Sequence, residues 1–319
     1  MVSRRDWLRI TAGAGAVLGL QPRLLDALAP QQQPLLRKIP STGEEIPVIG
    51  LGGANTFSQV AREQDFEAVR GVLKALVDGG GTLFDTAPGY GASEEVAGQV
   101  AEELGIADRI FWATKLNVVG RGGGMADAAA AREQVERSFE RLRREVIDLI
   151  QVHNMADPPT QLGILKEQKD QGRVRYIGIT TTSERQYGEL EAVMRNEPLD
   201  FIGIDYAVDN RAAEEVILPL AQERKIGVLV YLPFGRSRMW ARIGDRPLPE
   251  WAAEFDAHSW AQFMLKFVVA HPAVTVATPG TSDPGHMIDN LGGGSGRLPT
   301  PDHLRRMVEL VEALPAASR

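Results

Sequence analysis

Four residues of the types that transfer protons lie in the first half of the chain: Asp85, Tyr90, Lys115 and His153. A tyrosine is a poor acid at neutral pH, because its ordinary pKa is about 10. A neighbouring ammonium group favours the phenolate, and a carboxylate beside that ammonium keeps it charged and oriented. The aspartate, the tyrosine and the lysine could therefore form a tuned general acid, with the histidine as a fourth member.

Short apolar segments predict the elements that carry these residues. Segments rich in β-branched and aromatic residues precede Asp85, Lys115 and His153, so each of the three is predicted to end a strand. Tyr90 lies in the loop between the first two of these strands. A helix is predicted to begin at Ser93 as its N-cap, because acidic residues follow in the first turn. In a β/α barrel, the C-terminal ends of the strands carry the chemistry.

The motifs around the four residues resemble those of the aldo-keto reductase family. The family's Asp–Tyr–Lys–His tetrad falls, in the same order, on Asp85 and Tyr90 in DTAPGYGASEE, on Lys115 in WATK and on His153 in DLIQVHN. Each residue alone has an ordinary explanation, such as a turn, a packed loop aromatic or a structural histidine. The interpretation depends on all four occurring together. The resemblance implies reduction of an aldehyde or ketone to an alcohol, with hydride from NADPH and the proton from Tyr90.

Strands and helices alternate along the rest of the chain. The pattern repeats about eight times without a change in composition, which predicts a closed (β/α)8 TIM barrel rather than an open doubly wound sheet. Leu36–Ile39 and Glu45–Val48 predict a β-hairpin, and Pro301–Leu314 predicts an extra C-terminal helix. Residues 48–57 are predicted to be the first barrel strand. The family resemblance makes the hairpin the plug at the bottom of the barrel.

Composition narrows the classes of partner. The 319 residues carry a formal net charge of −7, which argues against a nucleic-acid partner. The chain has no cysteine, so no thiol nucleophile and no zinc–thiolate site is expected. Its five histidines show no metal-binding spacing, and we expect no protein-bound metal. The partner implied by the family resemblance is a small-molecule carbonyl compound.

Residues 1–29 are predicted to be a signal segment of the twin-arginine type. Arg4 and Arg5 precede a short, weakly apolar segment, an arrangement that resembles the twin-arginine export motif. Ala27–Ala29 fits a small-residue cleavage site, although Pro30 would hinder cleavage.

The predicted signal segment sets the boundaries of the remaining regions. Residues 30–35 are predicted to be a linker, and residues 36–319 a single barrel domain. We expect a periplasmic or otherwise exported protein, which contacts the twin-arginine translocase transiently and has no stable membrane insertion. The alternative is an uncleaved N-terminal segment on a cytoplasmic protein.

The resemblance also implies a site for NADPH. Tyr231 falls on the tyrosine that stacks on the nicotinamide. Thr281 and Ser282 suit a phosphate at the start of a helix, and His286 stands where the family usually has an arginine. The predicted cofactor-binding residues are Gly53, Thr180, Thr181, Tyr231, Pro233, Gly280, Thr281, Ser282, His286, Asp289 and Asn290.

Further positions depart from the family pattern. Thr180 and Thr181 replace the Ser-Asn pair that binds the nicotinamide carboxamide. A glutamine with the same role is either replaced by Gly203 or absent. Gly280 replaces a residue that is basic in many relatives, which predicts a weaker hold on the 2′-phosphate.

Asn154, Trp240 and Trp251 are the predicted substrate-pocket residues. The two tryptophans lie in residues 237–257, which are predicted to be an irregular insertion, and a tryptophan in an insertion is as often only packed. Two other functions stay open. The altered carboxamide contacts are compatible with a barrel that holds a nucleotide as a binding or sensing subunit with little turnover. Lys115 could instead form a Schiff base in a lyase or aldolase.

Overall fold

The computed structural model describes residues 33–119 and 123–316. The predicted signal segment, residues 1–29, lies outside the described residues, as does the first half of the predicted linker. At the start of the described part, the backbone N–H of Leu35 donates to the carbonyl of Gly294 at 2.7 Å. The last residues of the predicted linker are therefore already attached to the barrel.

A small antiparallel hairpin comes first, formed by β1 (Leu36–Lys38) and β2 (Glu45–Pro47). Its buried side chains, Ile39 and Ile46, pack inside the barrel against residues at or near the beginnings of the barrel strands. Leu83 and Phe111, the first residues of their strands, belong to this cluster. The hairpin therefore fills the N-terminal end of the barrel, and the C-terminal end stays open for a site.

Eight parallel strands follow one another in a single sheet in chain order. The bridges Ile49–Ala277 and Gly52–Gly280 join the first strand region to the last and close the sheet. The predicted (β/α)8 barrel is thereby confirmed. The strands are β3 (Leu51–Gly52), β4 (Leu83–Asp85), β5 (Phe111–Leu116), β6 (Ile147–Val152), β7 (Val174–Thr181), β8 (Phe201–Asp205), β9 (Gly227–Tyr231) and β10 (Val276–Ala277).

Helices surround the sheet. Most connect consecutive strands, and the last follows the barrel as predicted. They are α1 (Thr56–Arg62), α2 (Phe66–Asp78), α3 (Ser93–Glu103), α4 (Ala128–Leu142), α5 (Pro158–Asp170), α6 (Tyr187–Asn196), α7 (Ile217–Glu223), α8 (Arg238–Ile243), α9 (Trp260–Ala270), α10 (Pro284–Gly292) and α11 (Pro301–Glu312). No helix in residues 33–119 or 123–316 is long and apolar enough to cross a bilayer.

Side-chain caps explain several helix starts. Asp65, Asp127 and Ser259 each accept a hydrogen bond from a backbone N–H in the first turn of the helix that follows. The prediction that Ser93 is an N-cap is wrong. Ser93 is fully buried as the first residue of α3, and its hydroxyl group accepts a hydrogen bond from Thr86 at 2.8 Å instead.

Two further predictions need correction. The predicted first strand, residues 48–57, stops at Gly52, and the chain turns into α1 at Thr56. Asn55 before this helix has a φ of 54°, a left-handed conformation that interrupts an extended segment. The predicted irregular insertion, residues 237–257, contains the short helix α8 and a 3-10 helix, Glu250–Phe255.

The hairpin offers a test of the plug. Ile46 is 3% exposed in the interior cluster, whereas Leu36 on the same hairpin is 53% exposed. We expect Ile46→Ala to lower the free energy of unfolding by about 2–5 kcal/mol, because it leaves a cavity among packed side chains. Leu36→Ala is the matched control and should cost less than about 1 kcal/mol. Equal costs in urea unfolding would show that the hairpin does not fill the barrel end.

Candidate active site

Asp85 and Lys115 form an ion pair inside the barrel. They lie on the neighbouring strands β4 and β5, and the alternation of side chains along a strand directs both inward. The Lys115 Nζ atom donates to Asp85 Oδ2 at 2.6 Å and to the carbonyl oxygen of Thr86 at 2.8 Å. The side chains of the lysine and the aspartate are only 1% and 4% exposed. Such a pair is stable only because each charge has its partner.

Tyr90 and His153 complete the group. The Lys115 Nζ atom lies 5.1 Å from the centroid of the Tyr90 ring, and the Tyr90 and His153 rings meet edge to face with centroids 5.8 Å apart. Asp85 and these three residues line one cavity of about 410 Å³ at the C-terminal end of the strands. The structure thus brings all four members of the predicted tetrad to the same cavity.

Burial and mutual contact set the charges of this group. Burial lowers the pKa of Lys115, but Asp85 and Tyr90 outweigh burial, and the net shift of the Lys115 pKa is upward. The lysine is therefore a cation at neutral pH. Burial, together with the charge of Lys115, lowers the pKa of His153 to about 3. The imidazole is therefore neutral at neutral pH and keeps one N–H group as a donor.

A tight turn after β6 fixes His153 at the cavity. Asn154 has left-handed backbone angles, with φ at 57° and ψ at 39°. Its backbone N–H donates to Thr180 Oγ1 at 3.0 Å, which ties the turn to β7. Asn154, a predicted substrate residue, and Thr180, a predicted cofactor residue, both line the cavity.

The predicted cofactor residues fall into an inner and an outer group. In the inner group, Tyr231, Pro233 and Gly280 line the cavity together with Thr180. Thr181 faces away from the cavity, because side chains alternate along β7, and its hydroxyl group pairs with Gln186 at 2.6 Å.

Gly53 is not among the residues that line the cavity. Its N–H donates to the carbonyl oxygen of Asp85 at 2.6 Å. A Cβ at this position would lie 2.9 Å from that oxygen and 3.0 Å from the hydroxyl oxygen of Ser93. Close backbone packing alone therefore explains the glycine.

The outer group surrounds the start of α10. Thr281 Oγ1 accepts a hydrogen bond from the backbone N–H of Asp283 at 3.1 Å, and Asp283 caps the helix by accepting from the N–H of His286 at 2.9 Å. Ser282 lies between them, half-buried. Because a carboxylate already occupies the helix cap, an incoming phosphate would share this end of α10 with a negative charge.

Asp289 and Asn290 face the protein rather than the solvent. The two carboxylate oxygens of Asp289 accept hydrogen bonds from Ser259 and Gln262, both at 2.8 Å. Asn290 is only 3% exposed. In this structure, Asp289 therefore joins α10 to the first turn of α9.

The two tryptophans predicted for the substrate pocket do not line the cavity. Trp240 packs on Phe234, with ring centroids 5.0 Å apart, and Phe234 is the residue that reaches the cavity wall. Trp251 belongs to an aromatic cluster beneath α11. The guanidinium of Arg306 lies 4.3 Å from the centroid of the Trp251 ring, a cation–π contact that accounts for the position of this tryptophan.

Comparison with known proteins decides the family. A profile of the Aldo/keto reductase family matches residues 48–311, which is most of the chain. The chain belongs to the aldo/keto reductase family. Membership confirms the family that the sequence motifs resemble.

Individual aldo/keto reductases match different fractions of this chain. The aldo-keto reductase YhdN of Bacillus subtilis is 35% identical over 206 residues, which cover 60% of either chain. The match therefore spans less than two thirds of that relative's length. A Klebsiella pneumoniae aldo-keto reductase solved in complex with NADPH superposes with a TM-score of 0.68 at 22% identity, covering 90% of this chain and 98% of the other. The glycerol dehydrogenase of Gluconobacter oxydans superposes with a TM-score of 0.68 at 25% identity, covering 87% and 95%.

Sequence reasoning missed one polar residue of this aldo/keto reductase site. Gln151 is fully buried inside the barrel on β6, and its side-chain amide donates to the Tyr231 hydroxyl oxygen at 2.9 Å. The signal was present in DLIQVHN, where the glutamine interrupts an apolar strand two residues before His153. Residues two apart on a strand share a face, so the motif itself places Gln151 below the histidine.

The low pKa of His153 predicts a pH dependence of stability. The unfolded imidazole binds a proton near pH 6.5, whereas the folded one does so only near pH 3. The unfolded state therefore binds more protons between these values, and stability falls as the pH falls. Between pH 7 and pH 5 we expect the wild type to lose about 2 kcal/mol more than His153→Gln.

Urea unfolding at both pH values measures this difference. His258→Gln, at an exposed histidine, is the control and should lose as much as the wild type. A His153→Gln variant as sensitive to acid as the wild type would contradict the assignment of a neutral imidazole.

Proposed function

We propose that the protein reduces an aldehyde or ketone to an alcohol with NADPH, and that Tyr90 gives the proton. The observation that carries this proposal is the cavity that Tyr90 shares with His153 and the buried Lys115–Asp85 ion pair. A general acid, a cation beside it and a neutral donor face the same space. Reduction of a carbonyl group requires such groups around the carbonyl oxygen, where a proton is added and negative charge develops.

Each group has a distinct part in the proposed reaction. Bound NADPH would supply the hydride. Tyr90 donates its hydroxyl proton to the carbonyl oxygen, and the charge of Lys115 stabilises the phenolate that remains. Asp85 holds the lysine charged and in place. The neutral imidazole of His153 donates a hydrogen bond to the same carbonyl oxygen and orients it.

The residues present fit a nicotinamide nucleotide in part. The Tyr231 ring gives the cavity an aromatic wall, and at Gly280 only backbone faces the cavity, so that a flat ligand can lie close. Thr281, Ser282 and His286 are the residues that would hold the phosphate at the start of α10. The complex of the Klebsiella pneumoniae relative with NADPH supports the choice of nucleotide.

One observation favours a second candidate, a nucleotide-holding binding or sensing subunit with little turnover. The Thr181 hydroxyl group is turned away from the cavity, and Gly203 has no side chain. Neither residue supplies the carboxamide contacts that the family resemblance implies. A Schiff-base mechanism is disfavoured, because an amine must be neutral to attack a carbonyl and the pKa of Lys115 is raised.

Tyr90→Phe tests the proposed proton donor. We expect kcat for carbonyl reduction to fall about 10²–10⁴-fold, because general acid catalysis contributes that much, while the Kd for NADPH stays nearly unchanged. The control is Tyr187→Phe, at a tyrosine that bonds the Asp205 carbonyl outside the cavity. A fully active Tyr90→Phe enzyme would exclude this mechanism. A wild type that binds NADPH without reducing any of a panel of aldehydes and ketones would favour the second candidate.

We also propose that the N-terminal segment directs export by the twin-arginine pathway. The support is Arg4 and Arg5 before the weakly apolar segment, residues 10–20. Because that pathway carries folded proteins, a nucleotide available inside the cell could be bound before export and would stabilise the folded state by mass action. The alternative is a cytoplasmic protein.

Replacing both arginines by lysine tests the export proposal. We expect the Arg4→Lys/Arg5→Lys protein to accumulate in the cytoplasm in an active form, because the barrel itself is unchanged. Fractionation of cells and assay of both compartments measure the distribution. Replacement of Arg23 by lysine, downstream of the apolar segment, is the control. A double variant exported as well as the wild type would reject the proposal.

A further inference from the structure

The Tyr231 hydroxyl group is directed into the barrel interior, although its ring lines the cavity. Gln151 Nε2 donates to the hydroxyl oxygen at 2.9 Å. Because that oxygen already accepts a hydrogen bond from the amide, the hydroxyl proton is directed to Asp85 Oδ1, which lies 3.2 Å away. Lys115 binds the other oxygen, Oδ2. The buried carboxylate therefore has a separate donor on each of its oxygens.

Gly203 creates the space for this arrangement. A Cβ on Gly203 would lie 2.7 Å from the hydroxyl oxygen of Tyr231 and 2.8 Å from the ring carbon that carries it. Any other residue would therefore displace the ring. The absence of a side chain at Gly203 thus lets the tyrosine reach the carboxylate.

The hydroxyl group of Tyr231 keeps its proton and can therefore donate a hydrogen bond. Burial, with the neighbouring charge of Asp85, raises the pKa of Tyr231 well above its usual value, so the phenol keeps its proton. The ionisable groups that face this part of the site are Lys115, Tyr90 and His153, besides Asp85 and Tyr231 themselves. The first of these is the cation already paired with the carboxylate, and the imidazole is neutral.

We propose that Tyr231 is a positioning residue, whose hydroxyl group keeps Asp85 ionised and oriented toward Lys115. The chain Gln151–Tyr231–Asp85–Lys115 then ends at the ring of the proton donor, Tyr90. This inference rests on the proposed reductase function and extends it, because it gives Tyr231 a role that is separate from any contact of its ring with a nicotinamide.

Tyr231→Phe separates the two roles, since it keeps the ring and removes only the hydroxyl group. Loss of a donor raises the pKa of a carboxylate. We expect the acid limb of the pH profile of kcat/KM to move upward by about one pH unit, since a hydrogen bond to a charged group has roughly that effect. A tyrosine that acts only through its ring would leave the limb in place.

A second measurement is independent of activity. In nucleotide-free protein labelled with ¹³C-aspartate, the titration of the Asp85 carboxyl carbon, assigned with Asp85→Asn, should move upward by the same amount in Tyr231→Phe. Gly203→Ala should reproduce the shift, because its methyl group displaces the ring. Tyr206→Phe is the matched control: its buried hydroxyl group bonds Glu214 at 2.6 Å away from the site, and neither readout should move.

The outcomes distinguish the inference from the function on which it rests. An unmoved Asp85 titration in Tyr231→Phe overturns the inference, whether or not the wild type reduces carbonyl compounds. A shifted titration in a protein without reductase activity retains the hydrogen-bond role of Tyr231 and rejects the proposed function.

Discussion

The site depends on a buried cation that is held by a buried anion. Removing Lys115 or Asp85 from water is unfavourable, and either charge alone inside the barrel would be strongly destabilising. The register of β4 and β5 sets the two side chains against each other, and the carbonyl oxygen of Thr86 accepts a second hydrogen bond from the lysine. The charge that a proton donor needs beside it is therefore fixed by the sheet and not by a loop.

The hairpin and the cavity are two consequences of the same parallel sheet. Because all eight strands run in one direction, one end of the barrel collects strand starts and the other collects strand ends. Apolar residues at the strand starts pack against Ile39 and Ile46 of the hairpin. Polar residues at the strand ends, such as Lys115, are left to face the open end. Stability and chemistry are thereby separated along the barrel axis.

The sequence was sufficient for features that repeat or that form motifs. Alternation of strands and helices predicted the barrel, and the tetrad motifs located the four residues that share the cavity. The sequence was insufficient where the position of a side chain depends on contacts with residues that are distant along the chain. Ser93 reads as a cap, but Thr86 and close backbone packing bury it. Trp251 reads as a pocket residue in an insertion, but Arg306, on a helix far along the chain, attracts it. Neither interaction can be predicted from the residues that flank Ser93 or Trp251 in the sequence.

The junction that closes the barrel links the stability of the fold to the cavity. The first and last barrel strands, β3 and β10, have two residues each, and the seam between them is held by few backbone hydrogen bonds. Three hydrogen bonds cross it: the N–H groups of Gly50 and Gly52 donate to the carbonyl oxygens of Ala277 and Pro279, and the N–H of Ala277 donates to that of Val48. Gly52 and Gly280 sit on opposite sides of this seam and both face the cavity. A molecule that contacted both glycines would add contacts across the seam, and it would therefore stabilise the closed barrel by mass action.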